Sequence, residues 1–168
     1  QQALPELFSA KKPNTDFRFW VSGCSTGEEA YSLAMIVSEV MDKIKKYFNV
    51  QIFATDIDAA AIDVARRGLY PESIGADVSS TRLNQFFTRG PGGFQVKKQL
   101  RNMVVFSLQN VIKDPPFSRL DLVSCRNLMI YMDSVLQKKL IPLFHYTLNP
   151  GGILFLGCLL YTSPSPRD

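Results

Sequence analysis

The chain has 168 residues, 46% of them hydrophobic and 20% charged, with a formal net charge of +4. That length holds one domain with a real core, and no apolar run reaches the roughly 18 residues that suggest a membrane span. The basic residues are scattered, near Lys11, Lys43, Arg66 and Lys97, and do not form a stripe interleaved with aromatics, so nucleic-acid binding is not expected.

The opening "QQALPELFSAKKPN" has no signal-peptide core. "FRFWVS" (Phe17 to Ser22) is apolar and aromatic, and predicts a first strand. Gly23 to Gly27 is a tight loop. From Glu28 to about Tyr47 the apolar residues Tyr31, Ala34, Met35, Val40 and Ile44 recur at helical spacing. "VQIFAT" (Val50 to Thr55) is a continuous apolar run, as expected of a strand buried on both faces. Asp58 to Arg67 predicts a short helix that Gly68 would cap. From Tyr70 to Gly93 the rhythm breaks into Pro, Ser and Gly, with an amphipathic piece at Arg82 to Phe87. Phe94–Lys97 and Met103–Leu108 then have the pattern of a hairpin. Arg119 to Cys125 reads as another buried strand, Asp133 to Leu148 as a helix, Asn149 to Gly152 as a turn and Ile153 to Gly157 as a last strand. Strands alternating with helices imply right-handed parallel crossovers and an α/β sheet covered on both faces. The polar, Pro-rich "YTSPSPRD" is expected to be disordered.

Cys24, Cys125 and Cys158 are odd in number and form no CxxC pair. That argues against a disulfide framework or a zinc site, and favours a reducing, cytoplasmic setting. No metal is expected.

"VSGCSTGEEAYSLAM" (Val21 to Met35) supports two readings. Gly23-Cys24-Ser25-Thr26-Gly27 fits the G-x-S-x-G nucleophile elbow, with Asp121 and His145 following in α/β-hydrolase order. Against this, too few residues precede Ser25 for the usual strands and oxyanion loop. Asp121 also begins its strand where a triad acid should end one. The lone His145 sits inside an apolar helical stretch, where a packed or capping role is the plainer reading. The second reading is a strand-loop-helix that presents backbone N–H groups at the C-terminal edge of the sheet. Ser25-x-x-Glu28 and Thr26-x-x-Glu29 both fit a capping box, so Ser25 and Thr26 are expected to cap the helix. The adjacent carboxylates disfavour a diphosphate and favour a ligand with positive charge or hydroxyls. Asp56, in "IFATDID", ends the second strand, where an acid accepts hydrogen bonds from ribose hydroxyls. Asp58 suits the plainer role of helix cap. Arg126 and Asn127 follow the strand "LDLVSC" at the edge where open α/β sheets bind ligands, and Tyr131 lies within reach. The plainer role for Arg126 is a surface ion pair.

Four ordered blocks, "FWVSGCSTGEEAYSLAM", "IFATDID…AR.GLY", "VVFSLQNVIKDPPFSRLDLVSCRNLMIYMD" and "FHYTLNPGGILFLG", resemble the CheR family of S-adenosylmethionine-dependent glutamate O-methyltransferases that act on chemotaxis receptors. The resemblance runs from about Phe17 to Gly157. Its wording is closest to the methyltransferase module of fused CheB/CheR sensor proteins, often joined to PAS domains. It implies a Rossmann-like class I methyltransferase sheet over 17–157, with a small antiparallel β-subdomain inserted at 70–98. Residues 1–16 would then be the remnant of an N-terminal linker or helical region, and 158–168 a tail foreign to the family, leaving the fold truncated at both ends. By resemblance, Glu28 binds the amino-acid part of S-adenosylmethionine, Asp56 holds the ribose, and Asn110 and Val111 line the adenosine side. Arg126, Asn127 and Tyr131 lie around the transferring methyl and the incoming glutamate, with Asn127 also contacting the cofactor. The product is S-adenosylhomocysteine, and the partners are glutamate side chains of a chemoreceptor or sensor protein. The short loop in "TRGPGGFQV" predicts independence from receptor-tail docking. A non-catalytic cofactor-binding or scaffold module is the alternative from another class.

Overall fold

The computed structural model describes residues 3–126 and 128–156. A central five-stranded sheet has the order β6-β2-β1-β7-β8, with every neighbouring pair parallel. Its strands are β1 (Asp16–Ser22), β2 (Asn49–Asp56), β6 (Val104–Leu108), β7 (Leu120–Ser124) and β8 (Leu148–Phe155). The helices are α1 (Ala3–Ser9), α2 (Glu28–Ile44), α3 (Ala59–Arg67), α4 (Ser80–Phe86), α5 (Lys98–Arg101) and α6 (Ser134–Thr147).

Alternation along β1 explains the two-sided core. Phe17, Phe19 and Val21 point to one face, where they pack with Phe8 of α1 and with Ala30, Tyr31 and Ala34 of α2. Trp20 points to the other face, with Leu140 and Phe144 of α6. All of these side chains are fully or nearly fully buried. Each large one withdraws apolar surface worth about 1.5–3 kcal/mol. Helices on both faces are therefore present as expected.

The chain leaves β1 for α2 on one face and leaves β7 for α6 on the other. The C-terminal ends of β1 and β7 therefore flank the point where the winding reverses, which is where open α/β sheets bind ligands.

Local ends follow residue chemistry. Asp58 caps α3 by accepting from the amides of Ala60 and Ala61, and Gly68 ends it at φ 64. Asp133 caps α6 through the Leu136 amide at 2.8 Å. Helix α2 stops at Ile44, short of the expected Tyr47, because Lys45 turns left-handed at φ 56.

Two expectations are corrected. Phe94–Lys97 and Met103–Leu108 do not pair. The hairpin is β4 (Phe87–Gly90) with β5 (Gly93–Val96), joined to β3 (Leu69–Tyr70) in a separate antiparallel sheet of order β3-β5-β4. The turn of α5 separates β5 from β6. Val104 and Phe106 bury into the main core, which makes β6 the edge strand beside β2. Asn149 to Gly152 are also not a turn before the last strand. They bulge out within β8, where Leu120 faces Leu148 but Leu122 faces Ile153. The predicted tail and Cys158 lie outside the described residues.

Candidate functional site

The loop after β1 folds over the end of β2. The amides of Gly23 and Cys24 both donate to the Thr55 carbonyl, at 2.8 and 2.9 Å. Gly23 has φ 73, and a Cβ there would come within 2.9 Å of the Leu128 Cβ, so only glycine suits this close approach. Ser25 is left-handed at φ 51 and donates its N–H to Asp56 Oδ2 at 2.8 Å.

The expected caps are corrected here. Gly27, at φ 94, is the N-cap of α2, and no side chain caps that helix. The left-handed turn at Ser25 commits its amide to Asp56, and the Thr26 hydroxyl donates to the Glu28 carboxylate at 2.6 Å.

Asp56 is held from two sides. Its Oδ2 accepts from the Ser25 amide, and its Oδ1 accepts from the Asp58 amide at 2.9 Å. Each carboxylate oxygen has two lone pairs, so capacity remains for a diol. Asp56 opens onto a cleft of about 150 Å³ whose other walls include Asn110, Val111, Ile112, Leu128 and Met132. Asp56, Asn110 and Val111 are thus brought together around one cleft. The Asn110 side-chain oxygen accepts from the amides of Ile112 and Lys113, which fixes the turn that presents Val111.

Ser22 and Gln109 also line the cleft, and nothing in their sequence context marks them. Ser22 Oγ and Gln109 Oε1 are buried without a hydrogen-bond partner among the described residues. Buried polar atoms are normally satisfied, so these two stand out beside the cleft. A fixed carboxylate acceptor in a largely apolar cleft fits a nucleoside, and among the described residues no cation lines it for a diphosphate.

Glu28 and Glu29 diverge at the start of α2. Glu28 is exposed beside Thr26. Glu29 turns toward the sheet, and the Ser124 hydroxyl at the end of β7 donates to its Oε1. That bond spans the mouth between β1 and β7. The expected site residue, Glu28, stays exposed and Glu29 is the one that turns inward, because a step of roughly 100° between helical neighbours lets only one of them face the sheet.

The segment after β7 supplies the rest of the mouth. Leu128 and Met132 line the cleft, whereas Arg126 and Tyr131 do not. Arg126 is exposed, with its guanidinium 5.2 Å from the Phe155 ring centroid, and Tyr131 is 82% exposed. Asn127 lies outside the described residues. The hydrolase alternative finds no assembled triad. Asp121 sits beside Arg18, whose amide it accepts at 3.0 Å, and also accepts from Asn149. From Arg18 to the end of β1 at Ser22 is on the order of 13 Å of strand, and Ser25 lies beyond that end. His145 lies in the last turn of α6, on the face opposite α2.

The Cys24 thiol beneath the loop is pushed up to about 12, first by burial and then by the Asp56 carboxylate. It is an unreactive packing group, since the thiolate is the nucleophile. Among the described residues, no cluster of His, Cys, Asp or Glu could hold a metal ion. Among them too, no helix is long and apolar enough to cross a membrane.

Residues 1–159 match the family model described as CheR methyltransferase, SAM binding domain. The chain belongs to that family. It is 35% identical over 164 residues to chemotaxis protein methyltransferase 1 of Pseudomonas aeruginosa, covering 94% of this chain and 59% of that protein. It is 37% identical over 162 residues to the chemotaxis protein methyltransferase of Borreliella burgdorferi, covering 92% and 56%. A 104.1 kDa uncharacterized protein of Rhodobacter capsulatus is 37% identical over 157 residues, which is 94% of this chain and 16% of that one. The chain therefore spans a little over half the length of these two chemotaxis methyltransferases. PKMT2 of Rickettsia typhi, solved in complex with AdoHcy, superposes with a TM-score of 0.53 at 16% identity, over 92% of this chain and 23% of that one. A SAM-dependent methyltransferase of Thiobacillus denitrificans in complex with S-adenosyl-L-homocysteine gives 0.50 at 16% identity, over 96% and 51%. The CheR-type sheet thus has the fold of class I SAM-dependent methyltransferases.

Proposed function

We propose that this CheR domain binds S-adenosylmethionine in the cleft at the ends of β1, β2 and β6. It would transfer the methyl group to a glutamate side chain of a chemoreceptor or related signalling protein in the cytoplasm. The observation that carries the reading is Asp56, a carboxylate held by two backbone amides at the end of β2 and opening onto an apolar-walled cleft. Asp56 would hold the ribose, and Asn110 and Val111 would line the adenosine. Glu28 would bind the cofactor's amino-acid part, while Glu29 is engaged by the Ser124 hydroxyl. Asn127, between the cleft and Arg126 in sequence, would touch the cofactor from the side of β7.

The bound cofactor would supply an activated methyl group on a sulfonium. The acceptor carboxylate, with a reference pKa near 4.3, is already ionised at neutral pH, so no general base is needed. The acceptor carboxylate would take that methyl group as a methyl ester, leaving S-adenosylhomocysteine in the cleft. The chain's contribution is alignment, which can supply on the order of 7–11 kcal/mol at best. Arg126, resting on Phe155, would orient the acceptor through its fork of donors, with Tyr131 beside it. An over-tight grip would stabilise the ground state as well, so geometry counts for more than strength. The match to only 16% of a 104.1 kDa relative supports a parent with further domains, of which CheB and PAS modules are the proposed ones.

The test is incubation of the full-length protein with methyl-labelled cofactor and a chemoreceptor cytoplasmic domain. Label that enters the receptor and leaves as methanol in alkali identifies a carboxyl ester. Cofactor binding without any transfer would favour the scaffold reading instead. Labelling of Ser25 by a fluorophosphonate would revive the hydrolase.

A further inference from the structure

The small antiparallel sheet touches the site at one buried point. Tyr70, on β3, is 4% exposed, and its hydroxyl donates to the Thr26 carbonyl at 2.7 Å. Thr26 stands between Ser25, whose amide holds Asp56, and Gly27, the N-cap of α2. The hydroxyl also closes on Gly27, where an added Cβ would come within 3.1 Å of it. On its other side, Tyr70 is clamped by the hairpin. It pairs with Phe94, and a Cβ on Gly93 would meet the Tyr70 carbonyl oxygen at 2.1 Å. Only glycine, at φ 119, lets β5 approach so closely.

We infer that Tyr70 is a positioning residue through which the β3-β5-β4 sheet sets the conformation of the cofactor loop. Residues on both sides of the bond depend on it. Left-handed Ser25 is strained, left-handed Gly27 is free to take other conformations, and a tether at the carbonyl between them holds both. Without it the Ser25 amide is free to leave Asp56, and the start of α2 that carries Glu28 and Glu29 is free to shift. By reciprocity, whatever orders the small sheet also tightens cofactor binding, and cofactor orders the sheet.

The inference rests on the cofactor reading above, and the control comes from within the fold. Thr147 makes a bond of the same kind, its buried hydroxyl donating to the Phe144 carbonyl at 2.6 Å, but at the end of α6 on the other face of the sheet. In the full-length protein, Tyr70→Phe should weaken S-adenosylhomocysteine binding about three- to tenfold, the worth of one buried hydrogen bond. It should also speed hydrogen exchange in a peptide covering Gly23 to Glu29. Thr147→Val should lower the melting temperature while leaving affinity within twofold and that peptide's exchange unchanged. Unchanged affinity and exchange in Tyr70→Phe, or equal changes in both variants, would overturn the inference while leaving the cofactor reading intact. Failure of the unaltered protein to bind S-adenosylhomocysteine would overturn both.

Discussion

The Ser25 amide donates to Asp56 Oδ2 at 2.8 Å, so one carboxylate closes the loop of β1 onto the end of β2. The bond requires Ser25 to adopt φ 51, a conformation that costs a non-glycine residue roughly 1–2 kcal/mol. The loop's contribution to the cleft is therefore its backbone, and the serine side chain is incidental. Ser25→Gly should keep cofactor binding and change stability by less than about 1 kcal/mol, because relief of strain offsets added chain entropy. Ser25→Pro, which lacks the N–H and cannot reach positive φ, should abolish binding and destabilise by about 3 kcal/mol or more. Chemical denaturation with calorimetry separates the two. Loss of activity in Ser25→Gly with binding retained would restore the hydroxyl to the chemistry.

Gly27 is constrained more severely. Beyond its φ of 94, a Cβ would sit 2.8 Å from the Ala65 Cβ and 3.2 Å from the Phe106 ring. Ala65 is part of α3 and cannot swing aside. Gly27→Ala should cost about 2–4 kcal/mol in urea unfolding. A change under about 0.5 kcal/mol would mean that α3 packs against the loop more loosely than the 2.8 Å approach of Ala65 implies.

Trp20 Nε1 donates to Thr55 Oγ1 at 3.0 Å, with both residues buried directly beneath the loop. Trp20→Phe removes the donor and part of the ring surface that packs on Phe117 and Phe144. The expected destabilisation is about 2–4 kcal/mol, combining a lost buried hydrogen bond with a cavity. The melting curve reports it directly.

Alkaline pH provides a test without mutation. Burial raises the Cys24 thiol from 9.0 to about 12 and the Tyr31 hydroxyl from 10.0 to about 12. The unfolded chain therefore releases these protons at lower pH than the folded one. The stability they represent is complete below about pH 9 and is lost as pH rises toward about 12. Urea midpoints measured from pH 8 to 11 should fall, and Cys24→Ala should flatten the early part of that fall. A flat profile in the unaltered protein would contradict the burial of both groups.

The strands and their order of contact with helices were legible because apolar runs such as "VQIFAT" have no other stable home than a covered sheet. Asp56 was legible for a related reason, since a carboxylate ending such a run cannot be core. The hairpin partner was not. Val104–Leu108 has the same alternating pattern whether it pairs with β5 or β2, and only the turn at Lys98–Arg101 redirects it. The capping role given to Ser25 failed because capping-box spacing says nothing about φ, and φ at Ser25 is decided by its long-range bond to Asp56. Glu29 went unseen beside Glu28 because their letters are identical, and only the hydroxyl of Ser124, 95 positions away, tells them apart. Ser22 and Gln109 are ordinary letters at strand ends and gain meaning only from the cleft they line.

The most direct measurement is calorimetric titration of S-adenosylhomocysteine into the full-length protein and its Asp56→Ala and Asp56→Asn variants, each checked for folding by its melting curve. One site per chain is expected in the unaltered protein. Affinity should fall by about tenfold or more in both variants, since each loses charge-assisted hydrogen bonds worth roughly 1.5–3 kcal/mol apiece. Equal affinity in a folded Asp56→Ala variant, or no binding by the unaltered protein, would contradict a cofactor site at Asp56.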